Sequence, residues 1–304
     1  MLQEYAVEPQ AIAANWDTFR YLIEKFGVDQ GRLISRFPRK WERWVIEAAS
    51  ELPDVEKHTL IEKLNCTKKN RVASGRPYDE QITWPENAVS QQDEAPFHAI
   101  IAHENPENRD YILTPAEVDD AHPLINVPRE IAVPRTAEAL AAVAAPLLQN
   151  SREILFLDPH FKPRRPKWTH VLEAFLKASI PGKHHISRCE YHFDWTNEEL
   201  SREELNRCCT NLADLITNRL NVTFMAWKPR ENGEKFHARY ILTDIGGIRF
   251  DVGLDYEIGD EGQTTDMGLL GNDLYLRRWK ELQLETAAFD LVHQTTVTGC
   301  AGSD

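Results

Sequence analysis

The chain has 304 residues, of which 42% are hydrophobic and 27% charged, a composition that supports a sizeable core in one large domain or two ordinary ones and excludes a disordered or collagen-like chain. Acidic residues outnumber basic ones by 48 to 35, for a formal charge of −13. The whole-molecule field therefore repels polyanions and excludes a histone-like or tail-driven DNA binder, so a phosphate-handling protein of this charge needs a focused basic site.

Residues 1–70 read as helical. The first ten, MLQEYAVEPQ, lack the basic and apolar segments of a signal peptide. Trp16, Phe19, Leu22, Ile23 and Phe26 recur at helical spacing before a capping Gly27, a second helix spans Trp41 to Ala49 after Pro38, and a third runs from about Val55 to Leu64. Lys63, Lys68, Lys69, Arg71 and Arg76 then form a basic cluster that suits a solvated helix end, or else a second track for a nucleic acid. Residues 71–135 are rich in proline and polar clusters and contain one short apolar run, FHAIIAH (97–103), that suits a strand. They read as an irregular connector stiffened by Pro123, Pro128 and Pro134.

From residue 136 the pattern changes. Thr136 is placed to N-cap a helix through TAEALAAVAAPLLQN, interrupted by Pro146. EILFLD (153–158) is the continuous apolar run of a strand buried on both faces. A helix over Trp168 to Ala178 precedes a strand over HISRCEYHF (185–193). Thr196 and Glu199 form a capping box for a long helix to about Leu220. Strands VTFMAW (222–227), HARYILT (237–243) and IRFDV (248–252) precede a last helix, Leu274 to Leu284. The succession predicts an α/β fold, a mixed-sheet layered domain over 136–304 preceded by a mainly helical amino-terminal region.

Cys66, Cys189, Cys208, Cys209 and Cys300 include no CxxC pair, so neither a disulfide framework nor a zinc ribbon is readable. Cys208 and Cys209 suit core packing. His184, His185 and His192 lack carboxylates or thiols at ligand spacing and read as surface or edge residues, so no metal and no cofactor is expected. No apolar run approaches about 18 residues. The expectation is a cytoplasmic protein with free thiols and no stable membrane association.

One segment carries chemistry: Lys235-Phe-His237-Ala-Arg239-Tyr-Ile-Leu-Thr-Asp244, an H-x-R-x4-D spacing. On a strand, His237 and Arg239 project from the same face. A neutral imidazole can attack phosphorus, and a guanidinium beside it can hold the phosphate oxygens bidentately. Asp244 has the opposite parity and would act from the turn. Just past the buried strand lies the basic loop Phe161-Lys162-Pro-Arg164-Arg165-Pro-Lys167, where α/β sheets gather ligands. Lys162, Arg164, Arg165 and Lys167, with Lys235, suit phosphate-backbone contacts, and Trp168 suits base stacking. A solvated, proline-stiffened loop is the alternative.

The H-x-R-x4-D segment resembles the H-x-K-x4-D signature of the phospholipase D superfamily, with Arg239 in place of lysine. EILFLDPHF (153–161), with its Asp158-Pro-His step, resembles the first sheet strand of many members. Gly246-Gly247 and Gly253-Leu254-Asp255-Tyr256 resemble the phospholipase D-like carboxyl-terminal module attached to MIT domains. The resemblance covers roughly residues 136–290. It implies a phospholipase D-like fold and metal-independent phosphodiester hydrolysis through a phosphohistidine. His237 would be nucleophile or general acid, Arg239 the phosphate clamp and Asp244 the supporting carboxylate, with Glu257 or else Asp255 orienting the imidazole.

Two departures stand out. The family's Gly-Ser-x-Asn step is replaced by Gly253-Leu254-Asp255. Only one motif copy is present, because His160-Phe-Lys162 starts a second that meets Lys167 instead of Asp. Single-copy members share their site across a two-fold dimer, so a homodimer with facing His237 residues is expected. DNA or RNA is the expected substrate, because no membrane-binding helix is visible. Residues 1–70 would recruit substrate or a partner protein, and the resemblance implies a place among bacterial phage-defence or mobile-element systems. The alternative is an inactive module binding a phosphate-bearing ligand, nucleic acid or phospholipid headgroup, through Arg239 and the 162–167 loop.

Overall fold

The first residues form a strand rather than a helix. In the computed structural model, which describes residues 1–182, 184–196, 200–216, 219–256 and 262–300, β1 (Gln3–Val7), β2 (Arg32–Arg36), β3 (Arg71–Ala73), β4 (Ala99–Ile101) and β5 (Ile112–Leu113) build a five-stranded sheet in the order β3-β2-β1-β4-β5. Every pairing in it is parallel. Parallel neighbours need crossovers. Helices supply those up to β4, with α1 (Pro9–Ile12) and α2 (Trp16–Glu24), then α3 (Trp41–Ala48) and α4 (Asp54–Cys66), then α5 (Trp84–Ser90), and a loop links β4 to β5. The three helices expected from periodicity stand where they were placed, and the Asn15 side chain caps α2 by accepting from the Thr18 N–H at 2.9 Å.

Residues 1–129 are thus one compact α/β unit, which corrects both the helical region over 1–70 and the irregular connector over 71–135. The strands are two to five residues long, too short for a two-residue alternation to register. Tyr5, Ala6 and Val7 are all fully buried, as in a strand covered on both faces. Tyr5 and Val7 join a core with Ile34, Trp41 and Ile101, while Ala6 faces another with Phe37, Trp84 and Ile100. The basic cluster of 63–76 is largely consumed inside this unit. Lys63 pairs with Glu24 at 3.1 Å, buried Arg71 with Glu42 at 3.2 Å, and Arg76 with Glu4 at 2.8 Å while lying 3.9 Å over the Phe97 ring.

The second unit, Glu130–Asp304, contains β6 (Glu130–Pro134), α6 (Ala137–Gln149), β7 (Glu153–Leu157), α7 (Pro166–Ser179), β8 (Arg188–Asp194), α8 (Arg202–Thr210), β9 (Asn221–Pro229), β10 (Tyr240–Thr243), β11 (Gly247–Phe250), β12 (Thr264–Leu269), α9 (Asn272–Glu281) and β13 (Phe289–Thr298). Its mixed sheet has the order β13-β9-β8-β7-β10-β11-β12-β6. β7, β8 and β9 are parallel, and the other pairings are antiparallel. On one face Leu155, Leu157, Trp227 and Leu242 pack on Tyr275 and Leu282 in and just past α9. On the other, Phe156 stacks on Phe175 of α7 at 5.5 Å. The result is the layered α/β arrangement expected of this part of the chain.

Several boundaries differ from the expectation. β6 pairs with β12, Ile131 opposite Met267, so the sheet begins before residue 136. Thr136 caps α6 by accepting from the Ala139 N–H at 3.2 Å, and the helix runs on through Pro146. Glu199 lies outside the described residues; the capping box present is Ser201–Glu204, and its helix stops at Thr210. β10 starts at Tyr240, so His237 and Arg239 occupy the loop leading into the strand rather than the strand itself. β12 and β13 lie beyond the expected strands; half the positions of β13 are exposed, and it lacks a run of buried apolar residues.

Phe156 sits at the centre of this sheet with no exposed surface. Phe156→Ala is expected to destabilise the chain by about 3–5 kcal/mol, the cost of a large aromatic cavity. The shift of the second unit's urea midpoint at unchanged slope measures it.

Candidate functional site

β7 brings the candidate residues to one place. Leu157 lies opposite Tyr240 in the antiparallel ladder and in register with His192 in the parallel one. The loop after β7 and the loop before β10 therefore leave hydrogen-bonded neighbours at the same end of the sheet. The first carries Lys162, Arg164 and Arg165, and the second carries Lys235, His237 and Arg239.

His237 is exposed, and its Nδ1 lies 2.8 Å from the Lys235 carbonyl oxygen. A carbonyl only accepts, so Nδ1 bears the proton and the neutral ring keeps its lone pair on Nε2. The Nε of Arg239 is buried and has no hydrogen-bond partner. The guanidinium thus retains an unmet donor in the same loop as an oriented imidazole.

A cleft of about 350 Å³ opens beside the basic loop, lined by His160, Phe161, Lys162, Arg164, Arg165 and Trp195 among others. Arg165 is exposed. Arg164 turns toward α8, donating to Cys208 Sγ at 3.0 Å and approaching Glu204 at 3.6 Å. The stacking role expected of Trp168 is corrected: its ring is 7% exposed, and its indole N–H donates to Asp158 at 3.1 Å. Lys167 lies 4.2 Å over that ring and pairs with Asp255 at 2.7 Å.

The acidic residues are arranged differently from the expectation. Asp244 sits at the far end of β10, beyond Thr243, and accepts from the backbone N–H groups of Arg152 at 2.9 Å and Glu153 at 3.2 Å. The four residues of β10, on the order of 13 Å of strand, separate it from His237. It therefore caps the start of β7 rather than supporting the imidazole. Asp255 is 5% exposed and bound by Arg135 at 2.6 Å and by Lys167, so its charge is answered away from His237. Glu257 lies outside the described residues.

Asp158, marked in the sequence only by its Asp-Pro step, belongs to this edge as well. Only 1% exposed, it accepts from the N–H groups of His160 at 2.9 Å and Leu254 at 2.8 Å as well as from Trp168. Burial pushes its carboxyl above the ordinary range, against those three donors. Gly253 lies between the two acids: a Cβ there would stand 2.5 Å from Asp255 Oδ1 and 3.3 Å from Asp158 Oδ2, so this close approach requires glycine.

His192, expected at the surface, is fully buried. Its Nδ1 accepts from the Trp227 indole N–H at 3.0 Å, so Nε2 carries the proton shared with Glu190 at 3.1 Å. Arg188 donates to the same carboxylate at 2.6 Å. Burial would raise the Glu190 carboxyl, but hydrogen bonds from His192 and Arg188 outweigh it and hold the group at about 2. Among the described residues no cluster of three His, Cys, Asp or Glu side chains is placed to hold a metal ion. No described helix is long and apolar enough to cross a membrane.

No protein-family model matches this sequence, and no curated protein is significantly similar to it. Among solved structures, the phosphatidylserine synthase of Haemophilus influenzae is similar over 52% of this chain and 38% of that one, at 9% identity and a TM-score of 0.32. The chain spans well under half the length of that synthase.

A carboxylate depressed in the fold stabilises above its unfolded pKa and loses that contribution as the pH falls through the folded value. For Glu190 this window runs from about 4.5 down to about 2. Glu190→Gln is expected to be less stable than the parent at pH 7, with the gap closing across that window in thermal melts. A gap that stays constant to pH 2.5 contradicts the assignment.

Proposed function

We propose that Glu130–Asp304 is a phospholipase D-like phosphodiesterase that cleaves nucleic acid without a metal, with His237 as nucleophile. The observation that carries this reading is the Lys235 carbonyl on His237 Nδ1, which leaves Nε2 as an oriented, solvent-facing nucleophile. The unmet Arg239 donor suits an equatorial phosphate oxygen. Lys162, Arg165 and Lys235 suit the flanking phosphates, giving the local positive field that a −13 chain needs.

In this mechanism Nε2 attacks phosphorus and the bond to the leaving oxygen breaks. The partner subunit's His237, facing it across a homodimer, protonates that oxygen. Water then attacks the phosphohistidine and gives its proton to the same partner imidazole, and the P–N bond breaks. A cytoplasmic role in bacterial phage defence fits a nuclease of this plan.

A second reading follows from the carboxylates. Asp244 and Asp255 are engaged elsewhere, and a carbonyl stabilises an imidazolium less than a carboxylate does. This favours a module that binds a phosphate-bearing ligand without turning it over.

Single-stranded DNA, RNA and a chromogenic phosphodiester in EDTA separate the two. Cleavage is expected to persist in EDTA, to fall by at least about 10³-fold in His237→Ala, and to fall by about 10²-fold in Arg239→Ala. Binding without cleavage identifies the module. A dimer is expected on sizing chromatography, and full activity in a strict monomer rules out the shared site.

A further inference from the structure

We propose that the carboxyl edge of the five-stranded sheet in Met1–Arg129 is a second anion site, one that binds the phosphate of a nucleotide. All five strands are parallel, so their carboxyl ends emerge along one edge, where open α/β sheets bind ligands. There β2 runs out into Arg36-Phe37-Pro38-Arg39-Lys40, which places three cations within five residues.

Of the nearby carboxylates, Glu8 at the end of β1 accepts the His103 N–H at 2.6 Å, and two others are held by arginines. Arg71 holds Glu42 at 3.2 Å, and Arg43 holds Glu47 at 2.6 Å. Arg71 lies opposite Ile34, and Arg36 follows two residues on, so both side chains leave the same face of the sheet, where Glu42 is taken by Arg71. Arg71 also fills its remaining donors with the Leu64 and Thr67 carbonyls. Arg36 keeps a buried Nε–H with no partner. Arg39 and Lys40 are exposed, and among the described residues no carboxylate pairs with either. On a chain of net charge −13, Arg39 and Lys40 beside the unmet Arg36 donor make a local positive field that a bound anion would neutralise.

Aromatic residues follow the cations in the same stretch of chain. Trp44, one turn into α3, meets Tyr78 edge to face at 5.6 Å, and Phe37 supports Tyr78 at 5.2 Å. Both Trp44 and Tyr78 are only partly buried. Cations for phosphate beside partly open rings for a base are the combination that recognises nucleotides. The site thus takes a nucleoside phosphate, free or within a single strand. It does not depend on cleavage by the second unit.

The test uses the full chain with two probes, ATP by calorimetry and a fluorescein-labelled single-stranded oligodeoxynucleotide by anisotropy. The parent is expected to bind at least one. Arg39→Glu/Lys40→Glu, which changes only exposed side chains, should weaken that binding at least tenfold with an unaltered melting temperature. Arg36→Gln should weaken it several-fold. For the oligonucleotide, losing two phosphate contacts should lower the salt slope by about 1.4. Binding of ATP alone assigns a free nucleotide, and binding of the oligonucleotide alone assigns a polynucleotide; either supports the site. Failure of the parent to bind either probe overturns it. So does binding untouched by both variants, or abolished only by Lys162→Glu/Arg165→Glu in the second unit. The two proposals fail separately, because ATP binding here requires no turnover and diester cleavage in EDTA requires no nucleotide at this edge.

Discussion

The pairing of β7 with its two neighbours is the constraint on which the candidate site depends. A strand that is parallel to β8 and antiparallel to β10 sends its own exit loop out beside the entry loop of β10. That geometry gathers a basic loop and a histidine–arginine loop separated by some seventy residues of chain. A one-residue slip would turn Leu155 and Leu157 away from the α9 core and Phe156 away from α7. The register is therefore held by burial on both faces.

Buried acids explain much of what surrounds that edge. Asp158 and Asp255 are nearly sealed from solvent, and each is met by donors: backbone and indole N–H groups for one, Arg135 and Lys167 for the other. Removing one partner from such a set leaves a buried charge exposed to its full desolvation cost. Lys167 is consequently less available to a ligand than its place in a basic loop suggests. Gly253 belongs to the same arrangement, since no side chain fits between the carboxylates. His192, Glu190 and Arg188 repeat the principle on the α9 side, where a neutral histidine is satisfied at both nitrogens.

Charge is handled locally in both units. The acidic excess of the chain coexists with internal ion pairs that absorb most of the conspicuous basic cluster between residues 63 and 76. Among the described residues, Arg39 and Lys40, just past the end of β2, pair with no carboxylate, and Arg36 keeps an unmet Nε–H. Counting basic residues in a window does not separate these cases. Knowing which carboxylate each guanidinium reaches does.

The sequence by itself determined the α/β character of residues 136–304, the central buried strand EILFL, the helices α2, α3, α4, α6 and α7, and the H-x-R spacing. Each rests on a local cause: 3.6-residue periodicity, a side-chain cap, or an unbroken apolar run. Only the tertiary structure decided that residues 1–129 form a parallel sheet, because strands of two to five residues carry almost no pattern and are held by partners far away in the chain. It also decided where each acid points. Asp244, Asp255 and Asp158 look alike in the sequence, yet one caps a strand, one is bound by two cations and one takes backbone amides, according to which donors the folded chain brings within about 3 Å.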